Sequence, residues 1–235
     1  MPRNSPRTSD PPLVTRPPAR VKLPYPNRPL PALRAGESRA LRRGTTLYRV
    51  YRTRGPHATG WETFRHYGPT SARFDPQPPP PGTGERGVLY AAGSIATALA
   101  EAFGATRVIE PSRDGPYLVG FRLARSVRLL DLSSDWPTRA GASQAISSGP
   151  KEVARAWARA VYEEYPVVGL WYPSSMSGTT PRSGDPRLHG YALALFDSAR
   201  GALPARPHLN LALDHPALGA ALARVAERFG YALLP

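Results

Sequence analysis

The chain has 235 residues, 41% of them hydrophobic, which is enough for one folded domain with some length to spare. It has no cysteine and no metal-ligand spacing among its five histidines, which excludes disulfides and thiolate chemistry and makes metal catalysis unexpected. The formal net charge of +14 favours an anionic partner, such as nucleic acid, a nucleotide, an anionic membrane or an acidic protein.

Residues 1–45 are predicted to form a Pro/Arg-rich arm. Its proline pairs and the run LPYPNRPLP at 23–31 favour polyproline II or disorder. Residues 1–46 hold ten Lys/Arg and two acids, so eight of the fourteen net charges lie there. The arm is expected either to contact an anionic partner or to order against the domain through anchors such as Leu30. With no apolar secretory core and no run of membrane-span length, the protein is expected to be soluble and cytoplasmic.

The compact part is predicted to begin with the alternating run TLYRVYR at 46–52, which is typical of a strand. The prolines and the glycine-rich GTGERG at 77–87 predict an exposed loop. A short strand at 88–91 leads into a helix that begins at Ser94. Further strands are predicted at 108–109, 117–123 and 127–131, and the last two suggest a hairpin.

The second half of the chain predicts a helix at 151–165, opened by Pro150, and strands at 168–172 and 191–196. A last helix is predicted from Asp214 as its N-cap to Phe229, with Gly230 as its stop. Short strands with few, separated helices indicate an α+β fold of compact mixed or antiparallel sheets with flanking helices.

Five residues stand out, although each has an ordinary structural explanation when it is taken alone. Arg49 lies inside a strand, where an arginine is costly without a partner. Glu101 falls on the flank of a buried helix face, Arg73 lies in a loop beside an aspartate that could pair with it, Tyr90 ends a strand, and Ser174 follows one. No phosphate-binding loop, nucleophile elbow or dinucleotide fingerprint occurs.

The order of five segments resembles the RES-domain family, the toxin halves of bacterial toxin–antitoxin pairs. These segments are LYRVYR (47–52), ARFDP (72–76), VLYAAGSIATALAEAF (88–103), GLWYPSSMSG (169–178) and ALALF (192–196). The resemblance implies a RES domain at 46–198. The C-terminal extension at 199–235 departs from the family pattern, and its helix is expected to pack on the domain.

The family is named for an arginine, a glutamate and a serine, which the resemblance assigns to Arg49, Glu101 and Ser174, with Ser175 as the alternative serine. It also implies roles for Tyr90 and Arg73, while Phe74 stands where the family has tryptophan. Glu101 is then expected to be partly buried, in one pocket shared with the other site residues.

The resemblance implies an ADP-ribosyltransferase-like fold and cleavage of the nicotinamide–ribose bond of NAD⁺, with NAD⁺ as substrate and no cofactor. An arginine fork would bind the diphosphate, and Tyr90 would stack on the cationic nicotinamide. Glu101 would stabilise an oxocarbenium-like ribose, and Ser174 would hydrogen-bond the nicotinamide amide or the ribose. The family also implies an antitoxin that blocks the cleft. A homodimer is a separate expectation.

Several functions stay open from the sequence alone. The group that attacks the ribose could be water, phosphate or a macromolecule, so the enzyme could be a glycohydrolase, a phosphorylase or an ADP-ribosyltransferase acting on a protein or nucleic acid. A basic nucleic-acid-binding protein is the alternative from another class, because LYRVYRTR interleaves aromatic residues with arginine. The concentration of charge in the arm argues against it. A degenerate scaffold protein is the last alternative.

Overall fold

The computed structural model describes residues 25–177 and 190–235. The strands within them are β1 (Ser38–Leu41), β2 (Thr46–Arg52), β3 (Arg65–Gly68), β4 (Gly82–Ala92), β5 (Val108–Ile109), β6 (Pro116–Arg122), β7 (Val127–Asp131), β8 (Gly169–Pro173), β9 (Tyr191–Phe196), β10 (Leu209–Ala212) and β11 (Ala232–Leu233). The α-helices are α1 (Ile95–Phe103), α2 (Trp136–Arg139), α3 (Lys151–Glu164) and α4 (Gly219–Phe229). Short 3₁₀ turns lie at 144–147, 197–202 and 216–218.

Nine of the described strands form one sheet in the order β1-β7-β8-β9-β4-β2-β6-β10, with β3 paired to β4. Only the β7–β8 pair in this sheet is parallel, and β5 and β11 form a separate parallel pair. The predicted α+β class, with a mainly antiparallel sheet and flanking helices, is therefore confirmed. None of the helices in the described parts of the chain is long and apolar enough to cross a membrane.

The main sheet is strongly curled. β1 and β2 stand five places apart in the strand order, which would be roughly 24 Å in a flat sheet. The four-residue link 42–45 that joins them spans at most roughly 18 Å. The sheet must therefore bend until its two ends approach, and the link 123–126 between β6 and β7 runs beside the first link. The amide of Gly44 donates to the carbonyl of Leu123 at 2.8 Å.

The curl encloses one cluster of buried side chains and leaves two others outside. The enclosed cluster draws on strands along the whole order, for example Leu41 of β1, Leu193 of β9 and Phe121 of β6. A second cluster lies between the sheet and α3, around Trp136 and Trp157. The third joins β6 to α1 and α4.

Two local predictions are wrong. Residues 82–87 form the first half of β4 and not a loop, because β3 supplies a partner through Tyr67 opposite Thr83 and Gly68 opposite Gly82. The predicted hairpin between β6 and β7 is absent. β6 pairs with β2 and β10, and β7 pairs with β1 and β8.

The predicted helices are confirmed except for the start of α4. Ser94 caps α1 by accepting from the amide of Thr97 at 3.1 Å, and Gly230 ends α4 with φ +64°. Asp214 does not cap α4. His215 accepts from the amide of Ala217 and opens a 3₁₀ turn, so the α-helix begins only at Gly219.

Residues 25–45, predicted as the end of the arm, lie against the domain. Leu30 is buried, and β1 pairs with β7 over all four of its residues. Glu37 is buried and accepts from the guanidinium of Arg139. Residues 1–24 lie outside the described part of the chain.

Candidate functional site

A pocket of about 460 Å³ opens where β2 and β4 separate. These two strands share only the pair Tyr48–Ala92, after which β2 follows β6 and β4 follows β9. Arg49, Arg73, Tyr90 and Glu101 all line this pocket. Four of the residues singled out from the sequence therefore line one pocket. Arg49 comes from β2, Arg73 from the loop between β3 and β4, Tyr90 from β4 and Glu101 from α1.

Arg49 enters the pocket from β2 with part of its hydrogen-bonding capacity unused. Its Nη1 donates to the carbonyls of Trp61 at 3.1 Å and Thr63 at 3.4 Å. Its Nε is buried and has no partner among the described residues. Burial lowers the pKa of Arg49 to about 10, so the side chain is still a cation at neutral pH. An anionic ligand would offset the cost of this incompletely paired cation.

Glu101 lies on α1 and faces the pocket. It is exposed, not partly buried as expected, because it borders the open volume of the pocket. The surrounding walls still remove water from the carboxylate, and this desolvation raises its pKa. The bond from Ser174 and the charges of Arg73 and Lys151 oppose that rise.

Ser174 is buried and reaches the site through Glu101. Its hydroxyl donates to Oε1 of Glu101 at 2.5 Å and accepts from the amides of Met176 at 3.2 Å and Ser177 at 3.1 Å. The single hydroxyl proton and the oxygen are thus already engaged. Ser175 is exposed and lines the pocket. The two candidate serines therefore occupy different positions, and their roles stay predictions.

A chain of hydroxyl groups ties the segment after β8 to the start of α1. The Ser177 hydroxyl lies 3.2 Å from that of Thr97, which in turn lies 2.9 Å from that of Ser94. Thr97 and Ser177 are buried, so these bonds are protected from water. The two segments that carry Ser174 and Glu101 are held together at a second point.

Tyr90 lines the pocket, while its hydroxyl is used structurally. The hydroxyl donates to Asp75 at 2.8 Å and accepts from the amide of Phe74 at 3.1 Å. Burial, followed by the neighbouring charge of Asp75, raises the pKa of Tyr90 well above its ordinary value.

Asp75 is fully buried and is the centre of a knot of hydrogen bonds. It accepts from Arg65 at 2.5 Å and from the amide and hydroxyl of Thr70 at 2.6 and 2.8 Å, in addition to Tyr90. The partner of Asp75 is therefore Arg65, and the suggested pair with Arg73 is wrong. The knot fixes the loop that carries Arg73.

Lys151 lines the pocket and was not singled out as a site residue from the sequence. It is the first residue of α3, next to the turn where the carbonyl of Gly149 accepts from Arg73. One signal could have marked it, since it is the only lysine beyond residue 46. Tyr48, Tyr172 and Met176, also missed, complete much of the wall.

The charge distribution of the pocket suits an anionic ligand. Arg49, Arg73 and Lys151 supply three cations around the single carboxylate of Glu101. Within residues 25–177 and 190–235, no three His, Asp or Glu side chains converge as a metal site requires. The fold and site define an α+β protein with a cationic pocket that contains one carboxylate.

The family follows from a comparison over most of the chain. The model of the RES domain matches residues 46–214, so this chain belongs to the RES-domain family. The match extends past the predicted domain end at 198 and includes β10. Comparison with curated proteins gives no match.

A solved structure shares the fold. It is a chain from the crystal structure of the M. tuberculosis MbcT–MbcA toxin–antitoxin complex, at 14% identity and a TM-score of 0.51. The alignment covers 80% of this chain and 92% of that chain. At this identity the likeness concerns the fold alone.

Proposed function

We propose that this protein is an NAD⁺-degrading enzyme that cleaves the nicotinamide–ribose bond and inhibits growth as the toxin of a toxin–antitoxin pair. The observation that carries the proposal is a carboxylate, Glu101, held by Ser174 in a pocket otherwise lined by three cations. Membership of the RES-domain family supports it.

The pocket residues divide into two chemical tasks. The fork of Arg49, with Arg73 and Lys151, provides positive charge for the diphosphate of NAD⁺. Glu101 stabilises the positive charge that develops on the ribose as nicotinamide leaves. The ring of Tyr90 offers a π-face to the cationic nicotinamide. NAD⁺ is the substrate in this scheme, and no metal or recycled cofactor takes part.

The decisive experiment measures loss of NAD⁺ with the purified wild-type protein and with Glu101→Gln, in buffers with and without phosphate. Glu227→Gln, an exposed change on α4, is the matched control. We expect Glu101→Gln to lose at least about 100-fold in rate, as removal of an electrostatic stabiliser does, and the control to keep wild-type activity. If folded wild-type protein leaves NAD⁺ intact, the proposal is refuted.

The same assay separates the possible acceptors. A rate that depends on phosphate identifies a phosphorylase, and a rate that is independent of it identifies a glycohydrolase. Labelled NAD⁺ that becomes attached to protein or nucleic acid in a lysate identifies an ADP-ribosyltransferase.

We also propose a cognate antitoxin as partner, since the solved structure with the same fold is of a toxin–antitoxin complex. Co-expression with the product of an adjacent gene should relieve growth arrest and block NAD⁺ loss. A homodimer and an anionic partner of the arm stay predictions from the sequence.

A further inference from the structure

Five exposed arginines lie in and beside the links 42–45 and 123–126, which run next to each other at one corner of the sheet. This arginine corner consists of Arg42, Arg43, Arg122, Arg125 and Arg128. The amide of Arg43 donates to the hydroxyl of Ser126 at 3.1 Å. Thr46 stands opposite Arg122 and Ala40 opposite Arg128, so the flanking strands hold the outer members of the cluster close to the links.

Among the described residues no acidic side chain pairs with this cluster, although Glu164, which is itself paired with Arg28, lines a pocket with Arg128. Residues 42–46 and 122–128 contain no aspartate or glutamate. In the described parts of the chain none of the five arginines forms an ion pair, whereas Arg39 on the same edge strand pairs with Asp131 at 2.9 Å. Cations within about one Debye length, roughly 8 Å at physiological salt, repel each other. The corner therefore gains from an external anion.

The residues around the arginine corner indicate which kind of anion it binds. Leu123 and Val127 are buried, and the other residues of the two segments are arginine, glycine, threonine, alanine and serine. The segments therefore present no apolar or aromatic anchor of the kind that dominates protein–protein interfaces. They also lack the aromatic platforms on which single-stranded bases stack. Guanidinium groups on a polar surface are typical of contacts to duplex phosphates.

We propose that the arginine corner binds the phosphate backbone of duplex nucleic acid without reading its base sequence. This surface lies beside the pocket. Arg122 interacts electrostatically with His208. The ring of His208 packs edge-on against the ring of Tyr48, with the ring centroids 6.3 Å apart, and Tyr48 lines the pocket. Binding at the corner does not require NAD⁺ cleavage, so the two proposals can fail separately.

The test uses the full chain and a fluorescently labelled random-sequence DNA duplex, with anisotropy measured over a series of salt concentrations. The variant is Arg43→Gln/Arg128→Gln, since neither side chain makes a hydrogen bond or ion pair within the described residues. The control is Arg54→Gln/Arg113→Gln, with the same change in net charge. Arg54 and Arg113 lie at the far end of β2 and β6, about 20 Å from Arg122.

We expect the corner variant to bind about tenfold more weakly at moderate salt, with the slope of log affinity against log salt reduced by about 2, because two phosphate contacts are lost. The control should change affinity less than twofold. Both variants should keep the wild-type melting temperature and rate of NAD⁺ loss. Equal weakening in the two variants, or no duplex binding, overturns the proposal. Preferential binding to phosphatidylserine vesicles also overturns the proposal and would identify a membrane as the partner. Displacement of the duplex by equimolar polyglutamate overturns it as well and would identify an acidic protein.

Discussion

Ser174→Ala tests whether the serine acts by positioning Glu101. The change removes the donor that lies 2.5 Å from Oε1 of Glu101 and leaves the amides of Met176 and Ser177 without their shared acceptor. A hydrogen bond to a charged group contributes about 1.5–3 kcal/mol. At about 1.4 kcal/mol per tenfold in rate, losing it should lower kcat about 10- to 100-fold.

The pH profile gives the more specific readout. The bond from Ser174 holds the pKa of Glu101 below the value that desolvation alone would give, so its removal raises that pKa. Because the proposed reaction uses the ionised carboxylate, the acid limb of the rate profile should move to higher pH in Ser174→Ala. A loss of rate with an unmoved acid limb would contradict a positioning role.

Two companion variants sharpen this test. Ser174→Thr keeps a hydroxyl and should keep the acid limb near its wild-type position. Ser175→Ala changes an exposed neighbour that lines the same pocket and should leave the limb unmoved. If Ser175→Ala shifts the limb and Ser174→Ala does not, the assignment of the two serines is reversed.

Two further predictions concern residues around the pocket. Asp75→Asn should destabilise the fold by about 3–5 kcal/mol, because it leaves the charge of Arg65 unpaired beside a buried amide. The melting temperature of Asp75→Asn should fall by roughly 6–20 °C, whereas that of the half-exposed control Asp114→Asn should change little. A fall of only about 2 °C in Asp75→Asn would contradict the role of the knot. Arg49→Lys keeps the charge but loses the fork and Nε, so kcat/KM for NAD⁺ should fall at least about tenfold. Arg52→Lys, an exposed change on the same strand, is its control, and an equal loss in both would contradict a specific role for Arg49.

The elements that the sequence predicts well are those set by local pattern. β2, β9, α1 and α3 follow from alternation, from helical periodicity or from a cap such as Ser94, all of which lie within one segment. Strand pairing depends on distant partners. The first half of β4 carries glycine and polar residues and is a strand only because β3 lies beside it. The absence of the β6–β7 hairpin follows from the curl of the sheet, which no local turn signal reports.

The candidate site shows the same division. Only the family resemblance groups Arg49, Tyr90 and Glu101, since each alone fits an ordinary structural role. Lys151 could not be placed from the sequence, because its position depends on how the loop around Asp75 meets the start of α3. The engagement of Ser174 with Glu101 joins residues 73 positions apart and depends on the pairing of β8 with β9.

Two polar networks explain how a pocket with three cations keeps one arrangement. On one side, Asp75 holds Arg65, Thr70 and Tyr90, which fixes the loop that presents Arg73. On the other, the hydroxyl chain of Ser94, Thr97 and Ser177 fastens the segment after β8 to α1. The pocket cations repel one another, and a buried polar group that loses its partners is costly. Because both networks are largely buried, moving either wall would break several bonds at once. The rigidity of the walls thus offsets the repulsion among Arg49, Arg73 and Lys151, and it keeps Glu101 among them before any ligand enters.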